Sequence, residues 1–241
     1  MRRRYLCGAF VGVLVIAAAI SATAGGATPR VWHGPIHMRT NSTSTNWSGY
    51  AVTGGRYTSV SASWTQPTAT CSGTAYSSFW VGLDGDTSST VEQTGTDADC
   101  SGSTPRYYAW YEMYPKFPVN LSGTVRPGDH LSASVTTNGS GTFTLTIADS
   151  TQGWTFTTNQ RLKRATLASA EVIAEAPSSS GGVLPLANFG TVSFSGARAN
   201  GALLTSSTPG IDAITMKSGS TVKAQPGSIS NGSFSVAWKH S

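Results

Sequence analysis

Apolar and polar residues alternate in short runs along much of this chain, which is the pattern of half-buried β-strands. In the stretch 80–95, two such runs are joined by a polar turn rich in Gly, Asp, Ser and Thr. On the first run, alternation separates an apolar face from a face that carries Trp80 and Asp84, and on the second run Gln93 shares a face with Val91. The pattern fits either an ordinary hairpin with a solvated side or a strand pair whose polar side does chemistry.

Similar runs recur along the chain, separated by turn residues. They cover residues 46–52, 60–65, 107–115, 131–137, 142–149, 154–158, 192–194, 213–217 and 234–238. Asn138 and Gly139 stand between two of these runs and form a strong hairpin signal. Many short strands, without an internal repeat or a long amphipathic helix, predict an all-β sandwich.

The segment 168–176 is ambiguous between helix and strand. Its Ala and Glu content favours a helix, and Glu171 and Glu175 stand four residues apart, which suits one helix face but also one strand face. Pro177 ends the segment in either case. Because strand-like runs surround it, we predict a strand.

The run 107–115 is aromatic on both faces, so we expect both faces of this strand to be covered. Alternation places Glu112 on the side that carries Trp110 and Tyr114. A carboxylate among aromatic rings is partly desolvated, and such a group is either paired structurally or functional.

The N-terminus has the pattern of a secretory signal peptide. Arg2–Arg4 precede an apolar stretch at 6–20, and Ala22-Thr23-Ala24 is a small-residue cleavage site, so we expect cleavage after Ala24. A retained anchor is the alternative, but about 15 apolar residues fall short of the roughly 20 that span a bilayer. We therefore predict a secreted, extracellular protein without a stable membrane anchor, with a signal peptide at 1–24, a linker or short pro-segment at 25–45 and one domain at 46–241.

Removal of the signal peptide changes the charge balance. The formal net charge of +5 includes three signal arginines, which leaves 13 Lys and Arg against 11 Asp and Glu. No basic run of the nucleic-acid-binding type remains, so we expect no nucleic-acid partner. Charged residues make up 11% of the chain, against about 25% in typical soluble proteins. Few carboxylates means few groups whose protonation can unfold the chain, which suits an acidic medium.

The remaining chemistry is limited. Cys71 and Cys100 are the cysteines left after signal cleavage, and in an oxidising compartment we expect them to form a disulfide. The histidines have no zinc-binding spacing, no Gly-rich phosphate loop opens a helix, and a Ser-His-Asp triad would need His130 as its base. We therefore expect neither a metal nor a cofactor, and carboxylates, aromatic rings and Gln93 are what remains for function.

These remaining residues lie in blocks that together resemble the glutamic peptidases, or eqolisins. The blocks are NWSGY at 46–50, WVGLDGD at 80–86, EQTG at 92–95, YAWYEMYP at 108–115 and AEVIAEAP at 170–177. They occur in the order of that family, and the resemblance covers roughly residues 46 to 194. Several blocks in one order are far more specific than a single motif, and the chain looks like a bacterial-type member.

The resemblance implies a sandwich of two long, bent antiparallel sheets with the site on a concave face. It implies a monomeric endopeptidase that acts on proteins or peptides in acid, with Gln93 and Glu175 as the catalytic pair; Glu171 does not match. It also implies further site-lining residues, which are Trp47, Trp80, Asp84, Trp110, Glu112 and Tyr114. Tyr108 departs from the fungal motif, which has Asp there, so the local hydrogen bonds and the pH profile are expected to differ.

Such a pair suits peptide hydrolysis. Glu175 as carboxylate can take a proton from water and return it to the leaving amine, while the neutral amide of Gln93 donates to the developing oxyanion. Two other functions fit a sandwich with exposed aromatic rings: a carbohydrate-binding, lectin-like module, and a glycosidase that uses Glu112 and Glu175. The basic residues Arg30, His33, His37 and Arg39 further suggest that the lead segment holds an enzyme of this kind inactive near neutral pH.

Overall fold

The computed structural model of the chain describes residues 30–36 and 42–241. Within these residues all regular elements are β-strands, which confirms the all-β prediction. In chain order they are β1 (Thr43–Ser44), β2 (Trp47–Thr53), β3 (Ser59–Thr65), β4 (Ser78–Leu83), β5 (Val91–Ser101), β6 (Thr104–Tyr114), β7 (Val119–Asn120), β8 (His130–Thr137), β9 (Thr142–Asp149), β10 (Trp154–Arg161), β11 (Ser169–Glu175), β12 (Ser178–Ser179), β13 (Gly182–Val183), β14 (Thr191–Ala199), β15 (Ala202–Leu203), β16 (Ile211–Ser218), β17 (Thr221–Pro226) and β18 (Phe234–Trp238). The predicted signal peptide, His37 and Arg39 lie outside the described residues.

The longer strands form one continuous antiparallel ladder in the order β10-β9-β8-β3-β14-β18-β17-β16-β2-β11-β4-β5-β6-β7. Strand β16 joins its two halves, because residues 211–214 pair with β2 while residues 216–218 pair with β17. We call the half from β10 to β17 the back sheet and the half from β2 to β7 the front sheet. In the front sheet β11 pairs with β2 on one side and with β4 on the other, so the ambiguous segment 168–176 is a central strand.

The main hydrophobic core lies between the two sheets. Trp64 of β3 donates its indole N–H to Thr96 Oγ1 of β5 at 3.0 Å, and Tyr111 of β6 stacks on Phe156 of β10 with ring centroids 5.8 Å apart. Each fully buried large apolar side chain in such a core contributes about 1.5–3 kcal/mol. These contacts across the core confirm the predicted sandwich.

The front sheet is buried on its outer side as well. Alternation along β4 turns Phe79, Val81 and Leu83 towards the main core and Trp80 away from it, as the sequence predicted. The outer side carries a second cluster of buried residues: Trp47, Ala51, Trp80, Val91, Trp110, Ile173 and Ile214. We call this side of the front sheet the site face.

Gly95 makes room for the aromatic rings of the site face. It lies opposite Trp80 on β4 and opposite Trp110 on β6. A Cβ atom at this position would lie 2.5 Å from the Cβ of Trp80 and 2.3 Å from the backbone oxygen of Phe79. Any larger residue would therefore push strands β4 and β5 apart beneath the site.

The predicted disulfide is present between Cys71 and Cys100, with Cα atoms 5.3 Å apart. It ties the loop before β4 to the end of β5. Strand β17 was missed by the alternation analysis, because its buried residues, Lys223 and Ala224, are adjacent and do not alternate. In the described part of the chain, no helix has the length and hydropathy needed to cross a membrane.

Candidate active site

The site face brings together six of the predicted site residues. β2 supplies Trp47, β4 Trp80, β5 Gln93, β6 Trp110 and Glu112, and β11 Glu175. All six are fully buried. Cross-strand register explains their proximity, since Gln93 lies directly opposite Glu112 and Glu175 lies opposite Trp47.

Glu175 is surrounded by hydrogen-bond donors. Its Oε2 accepts from the indole N–H of Trp80 at 2.7 Å, and its Oε1 accepts from Asn46 Nδ2 at 3.1 Å and from the backbone N–H of Gly34 at 2.9 Å. Complete burial nevertheless raises the pKa of Glu175 to about 8; the positive charge of His33 and the Gly34 and Trp80 donors limit the rise. The carboxyl group is held firmly, and its protonation state depends on what covers it.

Gln93 and Glu112 form the second part of the site. Gln93 Nε2 lies 3.5 Å from Glu112 Oε2, and it also donates to the backbone oxygen of His33. Burial raises the pKa of Glu112, and the hydrogen bonds and charge of His33 hold back part of that rise. The predicted desolvation of Glu112 is thus confirmed.

A carboxyl network at the end of the site was missed in the sequence. Asp97 Oδ1 accepts from the indole N–H of Trp110 at 2.6 Å, and the hydroxyl of Tyr108 lies 2.7 Å from Asp97 Oδ2 and 2.8 Å from Asp99 Oδ2. One O–H group donates to only one acceptor at a time, so the second contact requires a proton on a carboxyl group. Burial and the charge of Asp97 raise the pKa of Asp99 well above its usual value, which favours the protonated form of Asp99. Continuing the alternation from Gln93 would have placed both aspartates on the site face.

Residues 30–36, which we call the docked segment, run across this face. Trp32 pairs with Ser178 of β12 through two backbone hydrogen bonds of 2.8 and 2.9 Å. The ring of Trp32 stacks on Phe117 with centroids 4.5 Å apart, and the guanidinium of Arg30 lies 5.0 Å from the centre of the same ring. The predicted linker therefore covers the site.

His33 lies buried in the docked segment and is 1% exposed. Its ring stacks on Trp110 with centroids 3.7 Å apart, while its nitrogens lie 3.0 Å from Glu112 Oε2 and 3.2 Å from Asp97 Oδ2. Burial alone would lower the pKa of His33, but the charges and hydrogen bonds of Asp97 and Glu112 together outweigh it and raise the pKa well above 6.5. The pocket thus holds a flat cation between an indole ring and two carboxylates.

Asp84 lies outside this cluster. It follows the last residue of β4 with a backbone φ of +66°, so strand alternation no longer decides where its side chain points. Its carboxylate accepts hydrogen bonds from the backbone N–H groups of Thr166, Leu167 and Ala168 and from the Thr166 hydroxyl. Asp84 thereby fastens the loop that leads into β11.

Tyr114 and Glu171 border the site differently. The Tyr114 ring lies against Gly34, and burial together with the charges of Glu112 and Glu175 raises the pKa of its hydroxyl. Glu171 shares the site face with Glu175, but it pairs with Ala51 and Gly82, which places it further along the strands. Among the described residues no group of three or more His, Cys, Asp and Glu side chains could hold a metal ion.

The sequence and the fold both match known proteins. The sequence model of the Peptidase A4 family matches residues 45–238. The chain is 34% identical over 120 residues to scytalidopepsin B of Scytalidium lignicola, covering 49% of this chain and 45% of that protein. It is 30% identical over 181 residues to aspergillopepsin-2 of Aspergillus niger, covering 65% of this chain and 64% of that protein. The chain thus spans about half to two thirds of the length of these curated relatives.

Among solved structures, the fold is similar to that of scytalido-glutamic peptidase with a transition state analog inhibitor. The TM-score is 0.71 at 26% sequence identity, and the alignment covers 81% of this chain and 98% of that chain.

Proposed function

The chain belongs to the Peptidase A4 family, and from that membership we propose that it is an endopeptidase that hydrolyses peptide bonds with Glu175 and Gln93. One observation supports the assignment of this activity to Glu175 and Gln93. Gln93 donates to the backbone oxygen of His33, and Glu175 accepts from the backbone N–H of Gly34, so the two side chains bind both polar atoms of a single peptide group. A face that holds a peptide group of its own chain in this way is shaped to hold the same group of a substrate.

The carbonyl oxygen and the nitrogen of that peptide group each lie beside a group that hydrolysis requires. The Gln93 amide donates to the carbonyl oxygen, where negative charge develops in the tetrahedral intermediate, and it cannot ionise at any working pH. Glu175 as carboxylate takes a proton from water as the oxygen of the water attacks the carbonyl carbon. It then gives this proton to the leaving nitrogen, which lies beside it.

The surrounding residues position this pair. Trp80 and Asn46 orient the two oxygens of Glu175, so the carboxylate does not rotate away from the peptide group. Glu112 lies beside the amide of Gln93 and limits its rotation. Trp47 packs edge-on against Trp80, with ring centroids 5.0 Å apart, and shields the Glu175 side of the site from bulk water. Trp110 provides the flat surface on which the ring of His33 stacks, and we expect a substrate side chain to take the same place.

Action in acid requires that Glu175 remain ionised below neutral pH. Burial is the main cause of its raised pKa, and the docked segment contributes to that burial. When water replaces the docked segment, Glu175 loses the His33 charge and the Gly34 donor, which lower its pKa, but it also loses part of the desolvation that raises it. Because desolvation is the largest of these causes, we expect the pKa of Glu175 to fall towards its usual value. The open site is therefore the form that works in acid.

The assay is hydrolysis of a denatured protein at acid pH by the purified chain, with and without pepstatin. We expect hydrolysis that survives pepstatin, because the site has a Glu and Gln pair where aspartic proteases share one proton between two Asp carboxyls. A glycosidase using Glu112 and Glu175 would cleave glycans and leave protein intact. A lectin-like module would bind sugars and cleave neither, so either result contradicts the peptidase assignment.

We also propose that the protein is secreted and acts as a monomer. The Cys71–Cys100 disulfide supports export, because structural disulfides form and persist in oxidising compartments. In the described part of the chain the large exposed hydrophobic residues are few: Ile36, Phe117, Val119 and Leu203. So few exposed apolar side chains are typical of monomers.

A further inference from the structure

We propose that the site selects peptides with a planar, positively charged side chain on the carbonyl side of the scissile bond, and that Asp97 sets this preference. The proposal rests on the peptidase activity proposed above. It adds the class of substrate, which is peptides with His or Arg at that position, and a role for a residue outside the catalytic pair.

The docked segment marks the place of the selected side chain. Backbone pairing of Trp32 with β12 fixes the direction in which the chain crosses the site face. The carbonyl oxygen of His33 accepts from Gln93. The next N–H, that of Gly34, donates to Glu175. In the proposed reaction Gln93 donates to the oxyanion, so the residue whose carbonyl meets Gln93 precedes the scissile bond. The pocket around the His33 ring is therefore the pocket for that residue of a substrate.

The walls of this pocket match a flat ring with N–H groups at its edge. The His33 ring lies nearly parallel to the indole ring of Trp110, with an angle of 6° between them and centroids 3.7 Å apart. Its two nitrogens lie 3.0 Å from Glu112 Oε2 and 3.2 Å from Asp97 Oδ2. A neutral imidazole has one N–H and donates to one acceptor, whereas the imidazolium donates to both carboxylates. A cation on the face of an indole ring is also favourable. The pocket therefore binds the charged ring best.

Asp97 distinguishes between side chains more sharply than Glu112 does. Glu112 Oε2 also accepts from the backbone N–H of His33 at 2.9 Å, a contact that any residue with a backbone N–H can make. The hydrogen bond between Asp97 and the docked segment goes to the ring of His33. The energy of the Asp97 contact thus depends on the side chain that is bound, which makes Asp97 the specificity-determining residue.

A neutral side chain in this pocket would leave the charge of Asp97 buried without a counter-charge. Asp97 is 0% exposed. Its Oδ1 accepts from the indole N–H of Trp110 at 2.6 Å, and its Oδ2 accepts from the hydroxyl of Tyr108 at 2.7 Å. Both donors are neutral, and the ion pair of Asp97 is with the bound ring of His33. A buried carboxylate that loses its partner is strongly destabilising, so a neutral ring of the same shape should bind less well.

Tyr108 and Asp99 position this charge. With a proton on Asp99, which its raised pKa favours, Asp99 donates to the Tyr108 oxygen, and the Tyr108 hydroxyl donates to Asp97. Burial is the largest cause that raises the pKa of Tyr108, so its hydroxyl remains a neutral donor. This chain of hydrogen bonds leaves one negative charge at this end of the pocket, on Asp97, and holds it towards the ring of the bound residue.

The same features accommodate arginine. Its guanidinium group is a planar cation that stacks on aromatic faces and donates in its plane to carboxylates. A cleft of about 1070 Å³, bordered by His33, Tyr108 and Asp99, gives room to a side chain longer than His. Lysine has no flat surface to lay on Trp110, so we expect Lys at this position to be a poorer substrate than Arg.

The test compares peptides that differ only in the residue before the scissile bond, in one otherwise uncharged sequence and in acid, where a free His side chain is protonated. The main pair carries His or triazolylalanine, a neutral ring of the same shape. The second pair carries Arg or citrulline, which keeps the planar end of Arg without its charge. The full chain is used, and mass spectrometry identifies the bond that is cut. Each pair is measured on one enzyme sample, so the folded fraction and competition from the docked segment cancel in the ratio of the two kcat/KM values.

For wild type we expect kcat/KM for the His and Arg peptides to exceed that of their neutral partners roughly 10- to 100-fold, the range for one hydrogen bond to a charged group. Asp97→Asn keeps the shape of the side chain but removes its charge, and it should lower this ratio about tenfold. Tyr108→Phe removes one donor to Asp97 and should lower the ratio by about 2- to 10-fold. Glu171→Gln is the matched control, since it also replaces a buried carboxyl group of the site face by an amide, but further along the strands, and it should keep the wild-type ratio.

The other outcomes separate the two proposals. If wild type cuts charged and neutral peptides equally well, or digests denatured protein but cuts none of the peptides, the selectivity is refuted while the peptidase activity stands. If it cuts neither peptides nor protein, both are refuted. A ratio that is equally high in wild type and Asp97→Asn would refute Asp97 as its cause. Should Asp97→Asn fail to fold, an unchanged ratio in Tyr108→Phe would refute the role of this hydrogen-bond network. A preference within the His pair alone would refute the extension to Arg.

Discussion

Replacing Glu175 by Gln should strongly reduce turnover and, at neutral pH and above, make the protein with its docked segment in place more stable. The loss of a general base typically reduces turnover by about 10²–10⁴-fold. The stability effect has a separate origin, because a buried carboxyl group must either hold a proton or ionise without water around it. The comparison is best made in a Gln93→Ala background, because the loss of the oxyanion donor slows proteolysis in both proteins during the measurement.

The magnitude follows from the raised pKa. Burial, the largest cause, raises the pKa of Glu175 from 4.5 to about 8 in the folded protein. An acid whose pKa is raised by folding binds a proton more tightly when folded, so stability is fully present below pH 4.5 and falls as the pH rises towards 8. At 1.36 kcal/mol per pKa unit, the full loss is roughly 5 kcal/mol. The Gln that replaces Glu175 does not titrate, but its amide NH₂ faces one of the groups that donate to Glu175. This mismatch between two donors lowers the stability of the variant by about 1–3 kcal/mol at every pH.

Thermal unfolding of the two proteins across this pH range is the measurement. The double mutant, which combines Gln93→Ala with Glu175→Gln, should be slightly less stable than Gln93→Ala in acid and about 2–4 kcal/mol more stable above pH 8. In a domain of this size each kcal/mol shifts Tm by about 2–4 °C. His33 and Glu112 are present in both proteins, so to a first approximation their titration cancels. A stability difference that stays constant with pH would refute the raised pKa of Glu175.

Four further substitutions test the remaining assignments. Gln93→Ala should reduce turnover by about 10²–10³-fold through loss of the oxyanion donor, and adding Glu175→Gln should reduce it little further, because the pair acts as a unit; additive losses in single-turnover assays would contradict this. Glu112→Gln should keep measurable proteolysis with a changed KM, since Glu112 positions its neighbours; loss as complete as in Glu175→Gln would assign it a direct role. Asp84→Ala should lower the free energy of unfolding by about 2–5 kcal/mol, because its buried donors lose their acceptor, and it should leave the KM of the folded enzyme unchanged. Cys71→Ser should lower the free energy of unfolding by about 3–4 kcal/mol, because it opens the disulfide loop. Mass spectrometry of the unreduced wild type should find the mass of two hydrogens missing.

The strands and their faces could be predicted because alternation is a local property. Once β5 and β6 are recognised as strands, the facing of Gln93, Trp110 and Glu112 follows from a period of two. Their grouping with Glu175 did not follow from the pattern alone, because β11 reaches the centre of the front sheet through long-range pairing. The resemblance to a family supplied that link.

The sequence was less informative wherever the backbone leaves the strand pattern. Asp84 was placed by alternation, but the strand ends one residue before it and a positive φ redirects its side chain. Asp97 was missed because the predicted run stopped at Gly95, whereas pairing with β6 extends β5 to Ser101. His33 carries no periodic signal at all. Its place in the site depends on a tertiary surface that is complete only when the front sheet has formed.

The docked segment also determines how ligands of this site are to be measured. A ligand joined to its own receptor by a short stretch of chain has an effective concentration in the millimolar range. An added inhibitor must compete with that internal ligand, so its apparent Kd on the chain that carries the docked segment is weaker by the factor by which the effective concentration exceeds the intrinsic Kd of the segment. Titration of one inhibitor against the full chain and against a chain that begins at Thr45 therefore gives two apparent Kd values, and their ratio reports how tightly residues 30–36 bind.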